Sequence, residues 1–163
     1  MGTRLLSEQR IKDRFPQIRY IRIHTHGKYS ATIYAWNENL QLPDAEMRSI
    51  RQFASDYLQP YICFQVKAYN MIQADNVPQI RELPEAIKKT ALSRNLNQHG
   101  ITAAINRLFP LGRLSFEGYD ASNGIIHFVF HAITVIDHKD KERIIHYASE
   151  MIPIGSSCDV TFM

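Results

Sequence analysis

The chain has 163 residues, 45% hydrophobic and 21% charged, with a formal net charge of +3. Those proportions are ordinary for a folded domain and exclude a chain too polar to build a core. No apolar run reaches the roughly 20 residues that span a bilayer, Arg4 and Glu8 interrupt any signal-peptide core, and two cysteines, Cys63 and Cys158, are too few for a disulfide scaffold or a four-thiolate metal site. A cytoplasmic protein without membrane insertion, metal or other cofactor is therefore expected.

Taken in chain order, the first element is a short helix ending near Phe15-Pro16, because the residue before a proline is pushed out of helical geometry. Arg19 to Thr25 alternates and is β-branched, which predicts a strand. His26-Gly27-Lys28 reads as a turn, and Tyr29 to Asn37 as the returning strand of a hairpin. Pro43 suits a first helical position, and Asp44 and Glu46 favour the positive end of the helix dipole. Met47, Ile50, Phe53, Ala54, Tyr57 and Leu58 recur at helical spacing, Pro60 closes that helix, and Tyr61 to Tyr69 forms a third strand. Residues 70–82 are polar and proline-broken, as a linker is.

The order then repeats. A helical region from Leu83 to Leu108 ends at Phe109-Pro110. Its part from Ala91 onward has a faint helix-turn-helix outline, and reads better as two packed core helices broken at Gly100. Strand Arg113 to Tyr119 turns through Asp120-Ala-Ser-Asn-Gly124 into strand Ile125 to Ile133. Asp137 is placed to cap a helix over 138–152, Gly155 to end it, and Ser157 to Met163 to form the last strand. Sliding the sequence against itself by 94 positions brings Ile11 onto Ile105, Phe15 onto Phe109, Pro16 onto Pro110, Ile50 onto Ile144 and Ala54 onto Ala148, with Tyr34 over Phe128 and Trp36 over Phe130. The fold class predicted is α+β, a tandem duplication of an α-β-β-α-β unit, each a three-stranded sheet with helices on one face. The divisions are 1–69, a linker at 70–82, and 83–163. Each unit alone is small enough to need a partner surface, so the two are expected to pack together.

Strand periodicity assigns faces. Ile21 and Ile23, Tyr34 and Trp36, and Ile62, Phe64 and Val66 are expected under the helices of the first unit, with Ile33 and Ala35 on the outer face. That outer face also carries Tyr20, Arg22, His24, Cys63, Gln65 and Lys67. In the second unit Leu114 and Phe116 point inward, leaving Ser115, Glu117, His127, Val129, His131, Asp159 and Thr161 outside. One open face is basic and aromatic, the other rich in His and acid.

Residues 1–80 hold ten Lys/Arg against seven Asp/Glu, and residues 81–163 hold nine against nine, so the excess charge lies in the first half. Arg19, Arg22, His24 and Lys67 with Tyr20 and Tyr61 form a candidate nucleic-acid surface, cations for phosphates and rings for bases. Glu117, His127 and Asp159 lie on adjacent strands about 4.8 Å apart, and such a cluster can serve acid–base chemistry or bind a metal. His24 and His26 share a strand face, without a third ligand at supporting spacing. No glycine-rich phosphate loop, nucleophile elbow, HExxH or CxxC pair is present, so no catalytic residue is named.

In element order, the unit resembles the small α-β-β-α-β or β-β-α-β modules of several families. These are type II K-homology-like RNA-binding modules, ring-building modules of secretion and sporulation machines, and cytoplasmic domains of cation-diffusion transporters. The Gly-x-x-Gly loop of the RNA-binding modules is absent from both copies. The expectation is a non-enzymatic protein-interaction or assembly module, oligomeric through open sheet faces or edges, with a homo-oligomeric or other protein partner. The alternatives are nucleic-acid binding through the first unit and a small enzyme or metal-binding protein using Glu117, His127 and Asp159.

Overall fold

The computed structural model describes residues 2–59 and 61–163; Pro60, expected to close a helix, lies outside them. Helix α1 (Arg4–Arg14) starts at Thr3, whose hydroxyl accepts from the Leu6 amide, and stops before Phe15. Strands β1 (Ile18–Gly27) and β2 (Ser30–Asn37) form the hairpin. Helix α2 (Asp44–Phe53) runs on through a π-helical turn, Ala54–Leu58, and leads to β3 (Cys63–Ala68). In the second unit, α5 (Gln98–Leu108), β4 (Gly112–Asp120), β5 (Ile125–Ala132), α6 (His138–Glu150) and β6 (Ser157–Phe162) repeat that order. Two short helices, α3 (Met71–Ala74) and α4 (Glu85–Ala91), lie between.

Each sheet has three strands, ordered β1-β2-β3 and β4-β5-β6. The middle strand pairs antiparallel with the first and parallel with the third, because a helix carries the chain from the second strand to the third. The two cores match position for position in the helices. Ile11 and Ile105, Ile50 and Ile144, and Ala54 and Ala148 are all wholly buried. Asp137 caps α6 as expected, its carboxylate accepting from the Asp140 amide.

The hairpins depart from the 94-residue spacing. Val66 pairs with Ile33 and Val160 with Phe128, so where the third strands keep the spacing, Phe128 corresponds to Ile33, 95 positions earlier, not to Tyr34. Phe116, opposite Phe128, corresponds to Ile23, 93 positions earlier. The hairpin loop is two residues longer in the second unit, and bulges interrupt both first strands. A one-residue slip sends a side chain to the other face. The expected faces of β2 are therefore corrected: Ala31, Ile33 and Ala35 enter the core, and Tyr34 and Trp36 lie on the outer face.

A second correction concerns Gly100, expected to break the long helical region. The break spans residues 92–97 instead. Asn97 caps α5, accepting from the His99 and Gly100 amides at 3.0 and 3.1 Å, and Gly100 lies inside the first turn. Similarly, α6 ends at Glu150, and Gly155 (φ +83°) sits in the loop beyond. A side chain there would meet Ile62 Cδ1, so Gly155 permits both the left-handed turn and the close approach of the first unit.

The units share a seam. Ile154 of the second unit completes the first core, and Leu5 of α1 packs on the second. The Tyr29 amide donates to the Gly155 carbonyl at 3.0 Å, the Gly155 amide to Thr25 Oγ1 at 2.9 Å, and the Ile154 amide to the Gly2 carbonyl at 2.9 Å. Thr3 donates its hydroxyl to the Ala91 carbonyl. Arg4 joins Glu8 of its own helix to Glu150 at the end of α6.

Candidate functional site

On the outer face of the first sheet, β1 sets Tyr20 opposite Trp36, Arg22 opposite Tyr34 and His24 opposite Thr32, and Lys67 lies beside Tyr34. Four of the six candidate nucleic-acid residues, Tyr20, Arg22, His24 and Lys67, thus share one face. Arg19 stands exposed at a bulge, while Tyr61, 85% exposed, lies before β3 at the seam between the units. Tyr20, Trp36 and Tyr69 form a trio of rings with centroids 5.5–6.1 Å apart.

This face is roofed. The segment read as a linker crosses it, and its polar groups accept from three of the face's donors. Tyr34 donates to Asp75 Oδ2 at 2.7 Å, Lys67 reaches the same oxygen at 2.8 Å, and Arg22 Nη2 donates to the Pro78 carbonyl at 3.0 Å. Thr32 and Tyr34 are 2% exposed and Arg22 8%. Electrostatics follow the geometry. The hydrogen bond from Lys67, then that from Tyr34, holds the Asp75 carboxyl below its ordinary range. Burial, then donation to Asp75, pushes the Tyr34 hydroxyl up to about 12. Burial, then the neighbouring Arg4, lowers Arg22; burial, then Arg22 and His26, lowers His24.

The strap predicts a measurable pH response. A carboxylate whose folded pKa is depressed adds stability that is present above its unfolded pKa of about 4 and lost as pH falls through the folded value. Asp75→Asn is therefore expected to lower the protection of the Asn76 and Val77 amides, taken relative to their intrinsic exchange rates, several-fold at neutral pH, and acidification of the unaltered protein to lower that protection likewise. Equal exchange in both proteins would show that Asp75 does not hold the strap.

The second sheet's outer face has no such roof among the described residues. Arg113, Glu117, His131, Asp159 and Thr161 are exposed on it. His127 Nδ1 lies 3.3 Å from Asp159 Oδ2, its partner in the strand register. Glu117 occupies the β4 bulge and shares a shallow hollow with His127. The structure thus brings His127 and Asp159 into contact and sets Glu117 beside His127. No group of three or more His, Cys, Asp or Glu side chains among the described residues is arranged to hold a metal ion. An exposed pair of this kind contributes about 0–1 kcal/mol.

Two sheet edges are blunted by helix side chains. Glu8 accepts from the Ile23 amide on β1 at 2.9 Å, and Asn106 accepts from the Leu114 amide on β4 at 2.7 Å. Capping an edge in this way removes it as a template for strand addition. Sequence reasoning gives no functional role to the edge residues Glu8 and Asn106 or to the roofing residue Asp75, and it places Tyr34 inward. Helix polar residues and an aperiodic polar segment give no signal of what they will touch.

No helix among the described residues is long and apolar enough to cross a membrane. No protein-family model matches the chain, and no curated protein matches it. Among solved structures, the chain is similar to the periplasmic domain of the T3SS inner membrane protein PrgH from S. typhimurium, at 13% identity and a TM-score of 0.32, over 95% of this chain and 66% of that one.

Proposed function

We propose that the chain is a non-enzymatic interaction module that pairs with a second copy through the outer face of its second sheet. The carrying observation is the contrast between two related faces: a strap crosses the first, and no described segment crosses the second, where Arg113, Glu117, His131, Asp159 and Thr161 stand exposed around Val129, itself 8% exposed. The positions corresponding to the strap's anchors, Arg22, Tyr34 and Lys67, are Ser115, Val129 and Thr161. These are short and uncharged, and they form a flat row across the middle of the sheet.

Charge on either side of that row is unlike. Arg113 and His131 pair in the register at one end, while Glu117 and Asp159 mark the other, with His127 between them. A half-turn about the Ser115–Val129–Thr161 row lays the basic end of one copy over the acidic end of its partner. That is the self-complementary arrangement a two-fold dimer requires. The face is small. Three strands about 4.8 Å apart and about 20 Å long present about 300 Å², against about 800 Å² per partner in a standard interface. Association is accordingly weak and concentration-dependent.

Sedimentation velocity across a micromolar-to-millimolar series is expected to show reversible dimers. Arg113→Glu, which sets like charges over Glu117 of the other copy, is expected to abolish them, and the double swap Arg113→Glu with Glu117→Arg to restore them. A protein that stays monomeric throughout, or whose dimer ignores both substitutions, would exclude this face.

A further inference from the structure

At the seam lies a cavity of about 430 Å³, within the range of small-molecule sites. We propose that it binds an uncharged, ring-bearing small molecule.

Three observations carry this. The first is the lining. Phe116 and Phe128 of the second sheet, Ile101 of α5 and Ile154 of the last loop make its apolar interior, and Tyr61 stands at its mouth. Among the described residues, not one Asp, Glu, Lys, Arg or His lines it. A charged ligand would lose its hydration there and gain no counter-charge, whereas a flat ring gains aromatic contacts on several sides. Gln59, Gln98 and Ser156 add neutral donors and acceptors, the few polar groups that orient a ligand in an otherwise apolar site.

The second is a backbone irregularity in β4. The bulge at Glu117 shifts the register, so Tyr119 pairs with Ile126 and shares the cavity side with it. Without the extra residue, alternation would send Tyr119 to the opposite face. Bulges characteristically re-aim one side chain in this way.

The third is a matching irregularity in the first unit. Tyr29 holds a φ of +53°, in the left-handed region that is uncommon and unfavourable for a residue with a side chain. From there its hydroxyl meets that of Tyr119 at 2.9 Å and donates to the Ala121 carbonyl. Two separate departures from regular geometry, one in each unit, thus converge on a pair of phenols at a single cavity. The hydrogen bond with Tyr119 holds the Tyr29 phenol above its ordinary pKa.

Nile red, a neutral polycyclic fluorophore, tests the class of ligand on the full chain. Saturable binding of one dye per chain, with blue-shifted emission, is expected. Gln98→Trp, which places a bulky ring at an exposed position of the lining, and Tyr61→Lys, which sets a cation at the mouth, are each expected to weaken binding by about tenfold or more. Both positions are exposed, so circular dichroism is expected to report an unchanged fold. Val135→Ser, at a fully exposed apolar position away from the seam, is expected to leave binding unchanged. No saturable blue shift when the protein is titrated to about 100 µM against a fixed trace of dye, or binding lost with Val135→Ser and kept in both cavity variants, would overturn the proposal.

Discussion

Replacing Arg4 with alanine is expected to destabilise the protein by about 3–5 kcal/mol, the usual cost of leaving a buried ion without its partner. Arg4 Nη1 lies 3.0 Å from Glu8 Oε1 and Nη2 lies 2.8 Å from Glu150 Oε2, with all three side chains 11–15% exposed. One guanidinium therefore serves two carboxylates, from α1 and from the end of α6. Burial dominates the titration of Glu8, raising its carboxyl even beside Arg4. Taking the arginine away leaves two acids facing each other across the seam in a poorly solvated place. Glu8 has another task, accepting the Ile23 amide on the edge of β1, so its displacement would also uncap that edge. Urea unfolding followed by circular dichroism measures the loss. Arg4→Ala combined with Glu8→Gln is expected to recover part of it, since the second change removes one orphaned charge. A loss below about 1 kcal/mol would mark the cluster as a solvated surface pair instead.

The cluster also shows what could be read from the sequence. Arg4 and Glu8 are four apart, a spacing that sets them on one side of a helix, but nothing in the sequence indicates that Glu150 meets them. Element order was legible because its signals are local: the Phe15-Pro16 and Phe109-Pro110 stops, the stripes through Ile50 and Ile144, the Asp137 cap. Bulk misleads in β2: its larger alternate residues, Tyr34 and Trp36, point to an inward face, yet the core takes the smaller Ala31, Ile33 and Ala35. The bulges and the longer second hairpin loop alter the residue count between the copies. In the second hairpin no strand was misassigned, since Leu114, Phe116, Phe128 and Phe130 alternate strongly enough to fix the parity by themselves.

Of the candidate sites, the second-sheet cluster was legible as neighbouring positions on adjacent strands, and His127 and Asp159 do touch. The roof over the first sheet was not. Its anchors are one carboxylate and one backbone carbonyl, in a stretch without periodicity. The seam cavity was less legible still, since its walls come from both units and two of its three tyrosines, Tyr29 and Tyr119, owe their positions to a positive φ and a bulge.

The seam makes a second strong prediction, on cooperativity. Ile50→Ala and Ile144→Ala are each expected to cost about 2–5 kcal/mol, because both side chains are wholly buried and hold equivalent places under their sheets. If the units were independent, each substitution would unfold only its own half and two transitions would separate. The contacts argue otherwise. Ile154 of the second unit lies in the first core, Leu5 of the first packs on the second core, and the Arg4 cluster and the Gly155 hydrogen bonds cross between them. A unit of this size alone buries too little surface for robust stability, so loss of either core removes support from the other. Both variants are expected to melt in one transition, with Trp36 fluorescence from the first unit and far-ultraviolet circular dichroism from the whole chain coincident. Separation of the two probes in Ile144→Ala, with the Trp36 transition left at its original midpoint, would show that the copies fold as neighbours and not as one body.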